Sequence, residues 1–276
     1  MASLTVIAEN RVALSKDLVA EHGFSAWIDT PDGAVLWDSG QGYALPQNAP
    51  RLMLDWKRLA AIVLSHGHFD HTGGLVAALD LAGGAKVILH PACFIPKLAR
   101  REFFGRSIQV PIGMPLPRAD YEARGARFEE TEAVKKIIPG VFFIPSIPMM
   151  TDFEKIEPGF LVGDGSEPDS FADDAALAVK TDKGVSVILG CAHRGMINTL
   201  RYVSEVLGGP VRQVWGGTHL VEKDPEQVMA TVAALKEMGV ETVAAAHCTG
   251  FDRELVLARE LGDRFRFAHV GARAEL

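Results

Sequence analysis

Residues 60–65 read AAIVLS, an unbroken apolar run that ends at once in His66-Gly67-His68-Phe69-Asp70-His71. An apolar run without polar alternation is the pattern of a strand covered on both faces. The chain therefore needs a sheet with packing layers on either side. At the end of that strand it also sets three imidazoles and a carboxylate within six residues. Burying such groups together without a compensating partner is costly, and a shared metal cation is a partner their chemistry fits. His66 and His68, two apart on extended backbone, can point the same way onto one ion, and Gly67 between them allows a tight path. Asp70 and His71, further round the loop, can face a second ion. Imidazole with a hard carboxylate oxygen suits zinc, and also iron or manganese.

Other strand-like runs lie at 4–8, 25–29, 34–37 and 86–90, then at 141–144, 159–162, 176–180, 185–189, 211–215 and 241–246. Pro31-Asp32-Gly33 and Thr181-Asp182-Lys183-Gly184 read as hairpin turns. Helical spacing is expected over LVAALDLA after Gly73-Gly74, and over 198–207, 225–238 and 254–261. The texture changes between about 91 and 140, where prolines recur and Phe94, Phe103 and Phe104 mix with Arg100, Arg101 and Arg106. That segment is expected to be an irregular insertion or lid. Strands come in two batches, each followed by helices. This predicts helix–sheet–sheet–helix layering in a single α/β domain spanning 1–276.

The run SHGHFDHTGG after an apolar strand resembles the His-x-His-x-Asp-His motif of the metallo-β-lactamase superfamily. The resemblance implies that superfamily's four-layer αββα sandwich and two divalent metal ions, zinc first, with iron or manganese as alternatives. Asp38, in VLWDSG, is similar to the superfamily's first motif and would support the ligand loop from behind. His247, which opens HCTG after the strand-like 241–246, matches its last ligand histidine. Glyoxalase II-like members carry an earlier histidine and a bridging aspartate near the strand that here ends at Leu189. In this chain residues 166–174 hold no histidine, and Cys191 stands at the aspartate position. His193, in GCAHRG, is expected to supply the missing imidazole, with Cys191 either a soft ligand or a small buried residue.

The expected ligand sets are His66, His68 and His193 for one ion, and Asp70, His71 and His247 for the other. Asp70 is also expected to orient water or take its proton. His219, after Trp215-Gly216-Gly217, and His22 are expected near the metals, as a proton shuttle or as substrate contacts. The motifs EHGFS, GCAHRG, GGTHL and HCTG, in that order, resemble the metal-dependent hydrolases of β-lactamase superfamily II. That subgroup includes the archaeal dihydropterin–ribofuranosylaminobenzene-phosphate synthase family. The main expectation is a metal-dependent hydrolase of small-molecule esters, thioesters or phosphoesters. The alternative is a transferase or condensing enzyme of pterin metabolism built on the same site.

Other function classes are disfavoured. There is no Gly-x-Ser-x-Gly elbow, no dinucleotide fingerprint and no phosphate-loop motif. A net charge of −7, from 28 basic and 35 acidic residues, leaves no basic stripe for nucleic acid. No stretch approaches the roughly 18 apolar residues of a membrane span. Three cysteines, scattered without framework spacing, fit reduced thiols. The N-terminal residues lack a basic segment ahead of an apolar one. Together these predict a cytoplasmic enzyme with a small-molecule substrate and neither nucleic acid nor membrane as partner.

Overall fold

The computed structural model describes residues 1–14 and 17–276. Two seven-stranded mixed sheets face one another. The first is ordered Arg273–Glu275, Ser3–Ala8, Ser25–Thr30, Gly33–Trp37, Leu59–Val63, Ala85–Leu89, Ala126–Glu130. The second runs Phe265–Phe267, Thr242–Ala246, Val211–Gly217, Gly184–Leu189, Ala176–Thr181, Val141–Ile144, Lys135–Ile138.

The apolar run is explained by the layers on its two sides. Ala61 and Val63 point between the sheets, where they join Val35, Trp37, Phe143, Leu177 and Ile188. Ile62 and Leu64 point the other way, against Leu45, Leu75 and Leu79 on the helices Ala44–Arg51 and Leu75–Ala82. The second sheet repeats the arrangement. Ile188 faces inward, while Val187 and Leu189 pack on the helices Met196–Leu207, Pro225–Glu237 and Phe251–Leu261. Every strand in the middle of each sheet is thus buried twice, which gives the αββα sandwich expected from the sequence.

Helix ends follow local chemistry. Leu75–Ala82 stops at Gly83 in the left-handed conformation, φ 66°, where a glycine carries no Cβ penalty. Pro225–Glu237 starts with Pro225 in its first turn, and its N-cap Asp224 accepts the N–H of Gln227.

The segment expected to be irregular contains four strands. Lys97–Phe103 and Arg106–Pro111 form a hairpin, joined through Phe160–Val162 to a third, four-stranded sheet. Ala126–Glu130 extends the first sheet parallel to Ala85–Leu89, and Lys135–Ile138 edges the second. The hairpin lacks strand texture in sequence because most of its side chains are exposed on both faces, so no apolar alternation marks it. No helix among the described residues is long and apolar enough to cross a membrane.

Candidate metal centre

Parallel pairing brings the site together. Leu59–Val63 lies parallel to Gly33–Trp37, and Val211–Gly217 lies parallel to both Gly184–Leu189 and Thr242–Ala246. Parallel neighbours end on the same side, so Asp38, the loop 66–71, Cys191, His193, His219 and His247 all emerge at one edge of the sandwich. The chain bends sharply as it leaves these strands. Asp38, Ala192, His219 and His247 have φ of 53°, 55°, 49° and 52°. Four non-glycine residues in the left-handed region, all at one edge, are backbone strain gathered at a candidate site.

His66, His68 and His193 form a tight triangle. Their ring centroids lie 4.5 Å apart (66–68) and 4.9 Å apart (66–193 and 68–193). Each is at most 5% exposed, and the Nε2 atom of each is buried with no hydrogen-bond partner. Burial pushes His68 down to about 3 and holds His66 and His193 well below the ordinary imidazole value. These are neutral rings, and neutral imidazole is the form that ligates metal. His66 Nδ1 is 2.8 Å from Ser65 Oγ, and that hydroxyl donates to Asp38 Oδ2 at 2.7 Å. Nδ1 of His66 is therefore the donor, and its Nε2 keeps a free lone pair. His193 is fixed by face-to-face stacking on Phe171, 4.0 Å between centroids. Three neutral rings whose donor atoms lie within 4.8 Å of one another, each with a partnerless Nε2, fit a divalent cation.

Asp38, fully buried, also accepts from His71 Nδ1 at 2.7 Å. It thus orients two histidines of the loop, as expected of it. The second expected set also converges. His71 Nε2 lies 3.3 Å from His247 Nε2, and Asp70 Oδ2 lies 3.1 Å from His247 Nε2 and 3.9 Å from His71 Nε2. Burial opposes ionisation of Asp70, but the charge of His71 and hydrogen bonds from His22 and His247 hold its carboxyl well below the usual range. His22 Nε2 is 3.2 Å from Asp70 Oδ2. Cys191 Sγ lies 3.2 Å from His71 Nε2, and burial pushes its thiol well up. It sits between the two histidine groups as a neutral thiol.

His219 lies beside His193, 4.2 Å between centroids, and its Nε2 is 2.8 Å from Glu157 Oε2. Burial resists its charging, yet Cys248 and Glu157 push it up to about 10, while His219 and Lys223 bring Glu157 down to about 2 against its own desolvation. This pair, with His22, His68, His193 and His247, lines a cavity of about 340 Å³ with Phe160 and Arg101 on its walls. A larger groove of about 1000 Å³ lies across Phe69, against the proline-rich stretch, and holds none of the histidines.

Sequence reading missed several supporting groups. Glu9 Oε1 accepts the N–H of His247, and Asn10 Oδ1 faces His247 Nδ1 at 3.0 Å. Asp173 Oδ2 accepts the N–H of Gly67, between two histidines of the cluster. For Glu9 and Asn10 a signal existed: polar residues that break an apolar strand abruptly mark a strand end, where sites gather. Glu157 and Asp173 sit in stretches with no such mark. Asn10→Leu is expected to weaken binding of the ion held by His247 roughly 10- to 100-fold, because the ring loses its orienting partner. Metal titration of the variant checks this, and an unchanged affinity would count against the role.

Among known proteins, residues 19–166 match the family described as the metallo-β-lactamase superfamily. The 7,8-dihydropterin-6-methyl-4-(β-D-ribofuranosyl)-aminobenzene-5′-phosphate synthase of Methanocaldococcus jannaschii is 29% identical, across 96% of this chain and 93% of that protein. An uncharacterized protein of the same organism is 31% identical, across 93% of this chain and 94% of its own length. The crystal structure of a metal-dependent hydrolase of the β-lactamase superfamily superposes with a TM-score of 0.84 at 27% identity, covering 100% of this chain and 99% of that one. With the sandwich, the histidine loop and this match in agreement, the chain belongs to the metallo-β-lactamase superfamily.

Proposed function

We propose that the protein is a metal-dependent condensing enzyme that joins a pterin-like ring to an aryl phosphate partner, with departure of a leaving group from one of them. The observation that carries this reading is the partnerless imidazole triad, two of whose rings, His68 and His193, line a cavity with Phe69 and Phe160 on its walls. The near full-length similarity to a dihydropterin synthase supports the choice of substrate class. His66, His68 and His193, and Asp70, His71 and His247, would hold divalent ions, which would supply Lewis-acid chemistry when bound.

The chain's own residues do the rest. Phe160 offers a flat apolar face to a planar ring. Glu157 fixes His219 through Nε2, and His219 Nδ1 is buried without a partner, free to exchange a proton with the substrate. Asp70 stays ionised at the edge of the cluster. Arg101 brings its guanidinium 5.8 Å over Phe160 and has no carboxylate partner among the described residues. The neighbouring cations Lys97 and Lys223 are already paired, with Asp169 and Asp173 and with Glu157. Arg101 is thus the cation left for a substrate phosphate.

The second reading is hydrolysis of an ester, thioester or phosphoester, supported by the similarity to the metal-dependent hydrolase. Thermal denaturation of metal-replete protein separates the two. Under the first reading a pterin and an aryl phosphate each raise the melting temperature, while simple esters do not. Turnover of model esters without any shift from pterins would favour hydrolysis instead. Arg101→Ala is expected to weaken an aryl phosphate by about tenfold or more, the worth of a charged hydrogen bond, and to leave a phosphate-free ring unaffected. Equal weakening of both would remove Arg101 from phosphate recognition.

A further inference from the structure

We propose that His22 is itself a metal ligand, and that with Asp70 and His247 it forms the solvent-facing half of a two-ion centre. The inference rests on the metal-centre reading above and extends it to a residue outside the expected ligand sets. Nitrogen and carboxylate donors of His22, Asp70 and His247 all lie within 4.8 Å of one another.

The orientation of the donor atoms around His247 fits a cation there. Asn10 Oδ1 accepts the N–H of Gly23 at 3.2 Å, which fixes which end of the amide is oxygen. The same oxygen faces His247 Nδ1, so Nδ1 is hydrogen-bonded to Asn10 and Nε2 is the atom turned toward Asp70 and His71. His71 Nδ1 likewise donates to Asp38. Nε2 of His71 and Nε2 of His247, 3.3 Å apart, and one carboxylate oxygen of Asp70 then face one another. With Nδ1 of each ring hydrogen-bonded to protein, these three atoms are left to converge on one divalent cation, which would take the place of the Nε2 protons. His22 Nε2 approaches the same carboxylate oxygen, at 3.2 Å, with its ring 4.8 Å from that of His247.

His22 is held in place by its backbone. Glu21 accepts the N–H groups of Gln41, Gly42, Tyr43 and Ala44, which pins the segment to the start of a helix. Gly23, at φ 143°, lies so close to the loop that a Cβ would sit 2.3 Å from the carbonyl oxygen of Asp70. Phe24 N–H donates to that same carbonyl. The EHGF run is thus clamped onto the residue whose carboxylate His22 approaches. The His22 side chain is 58% exposed, against at most 5% for each residue of the His66, His68 and His193 triad. The centre therefore has an enclosed ion and an open, exchangeable one.

Equilibrium dialysis against Zn²⁺ with elemental analysis counts ions per chain, and circular dichroism checks folding. Two ions are expected in the wild type, with the second more weakly held. His22→Ala is expected to weaken the second by about tenfold or more, no less than the loss of an orienting partner costs, and to leave the first unchanged. His22→Asp is expected to restore the second ion while shifting preference toward Mn²⁺, since an oxygen ligand is harder than imidazole. If His22→Ala binds two ions with unchanged affinities, His22 is merely a hydrogen-bond partner of Asp70 and the proposal is wrong. If the wild type binds no ion, the metal-centre reading itself fails, a result distinguishable from the first.

Discussion

His193→Ala is expected to lose one bound ion and to lower turnover roughly 10³-fold. That figure corresponds to ~4 kcal/mol of lost charge stabilisation in the transition state, at about 1.4 kcal/mol per factor of ten. His193 is one of three imidazoles whose Nε2 atoms have no other partner, so the two that remain cannot close the site. The stack on Phe171 places the ring without any hydrogen bond, which means alanine leaves an apolar gap and no orphaned donor. The fold should survive. Cys191→Ala, by contrast, is expected to keep both ions, because each histidine group stays complete without the thiol. Elemental analysis of the two variants decides the matter. Two ions retained in His193→Ala would remove it from the metal site, and one lost in Cys191→Ala would make the thiol a ligand.

The largest stability effect is expected at Lys97. Its ammonium is 3% exposed and lies 2.7 Å from Asp169 Oδ2 and 2.9 Å from Asp173 Oδ1. Asp173 in turn accepts the N–H of Gly67, so this ion group braces the histidine loop from beneath. Lys97→Met strands two buried carboxylates and should cost roughly 3–5 kcal/mol, the range for breaking a buried pair from one side. The pH dependence follows from the shifts. Burial works against the charge of Asp173, but Lys97 and Gly67 N–H hold its carboxyl below the usual value. Its stabilisation is complete above the ordinary carboxylate value and is lost as pH falls through the lowered folded-state value. Lys97, despite its own desolvation, is raised by the two aspartates, so its contribution holds below the ordinary lysine value and is lost only as pH climbs through the raised one. In Lys97→Met the sign at the acid end reverses. Carboxylates without a counter-ion take up protons early, and the variant gains stability as pH falls from 7 toward 5. Urea denaturation at several pH values tests this, and parallel curves for both proteins would refute it.

Much of the molecule was legible before any coordinates. Periodicity located the inner strands of both sheets because those strands are buried on two faces or alternate between them, and burial leaves its mark in sequence; the edge strands Ala126–Glu130, Lys135–Ile138, Phe265–Phe267 and Arg273–Glu275 were not located. The hairpin Lys97–Pro111 escaped notice because exposure on both sides erases that mark. The histidine loop stood out since its residues are adjacent in the chain. Asn10, Glu157 and Asp173 did not, since each lies far along the chain from the groups it touches, and His22 was expected near the site but in neither ligand set.

What the sequence determined by itself was the layering and the kind of chemistry: apolar runs demand cover, and clustered imidazoles with a carboxylate demand a cation. What only the tertiary structure decided was which distant groups meet at that cluster. Parallel pairing aligns strand ends within each sheet, the face-to-face packing of the two sheets sets ends well over a hundred residues apart at one edge, and the clamp of Gly23 against Asp70 brings His22 to the same oxygen as His247. Such meetings depend on three-dimensional register, which no local pattern of residues encodes.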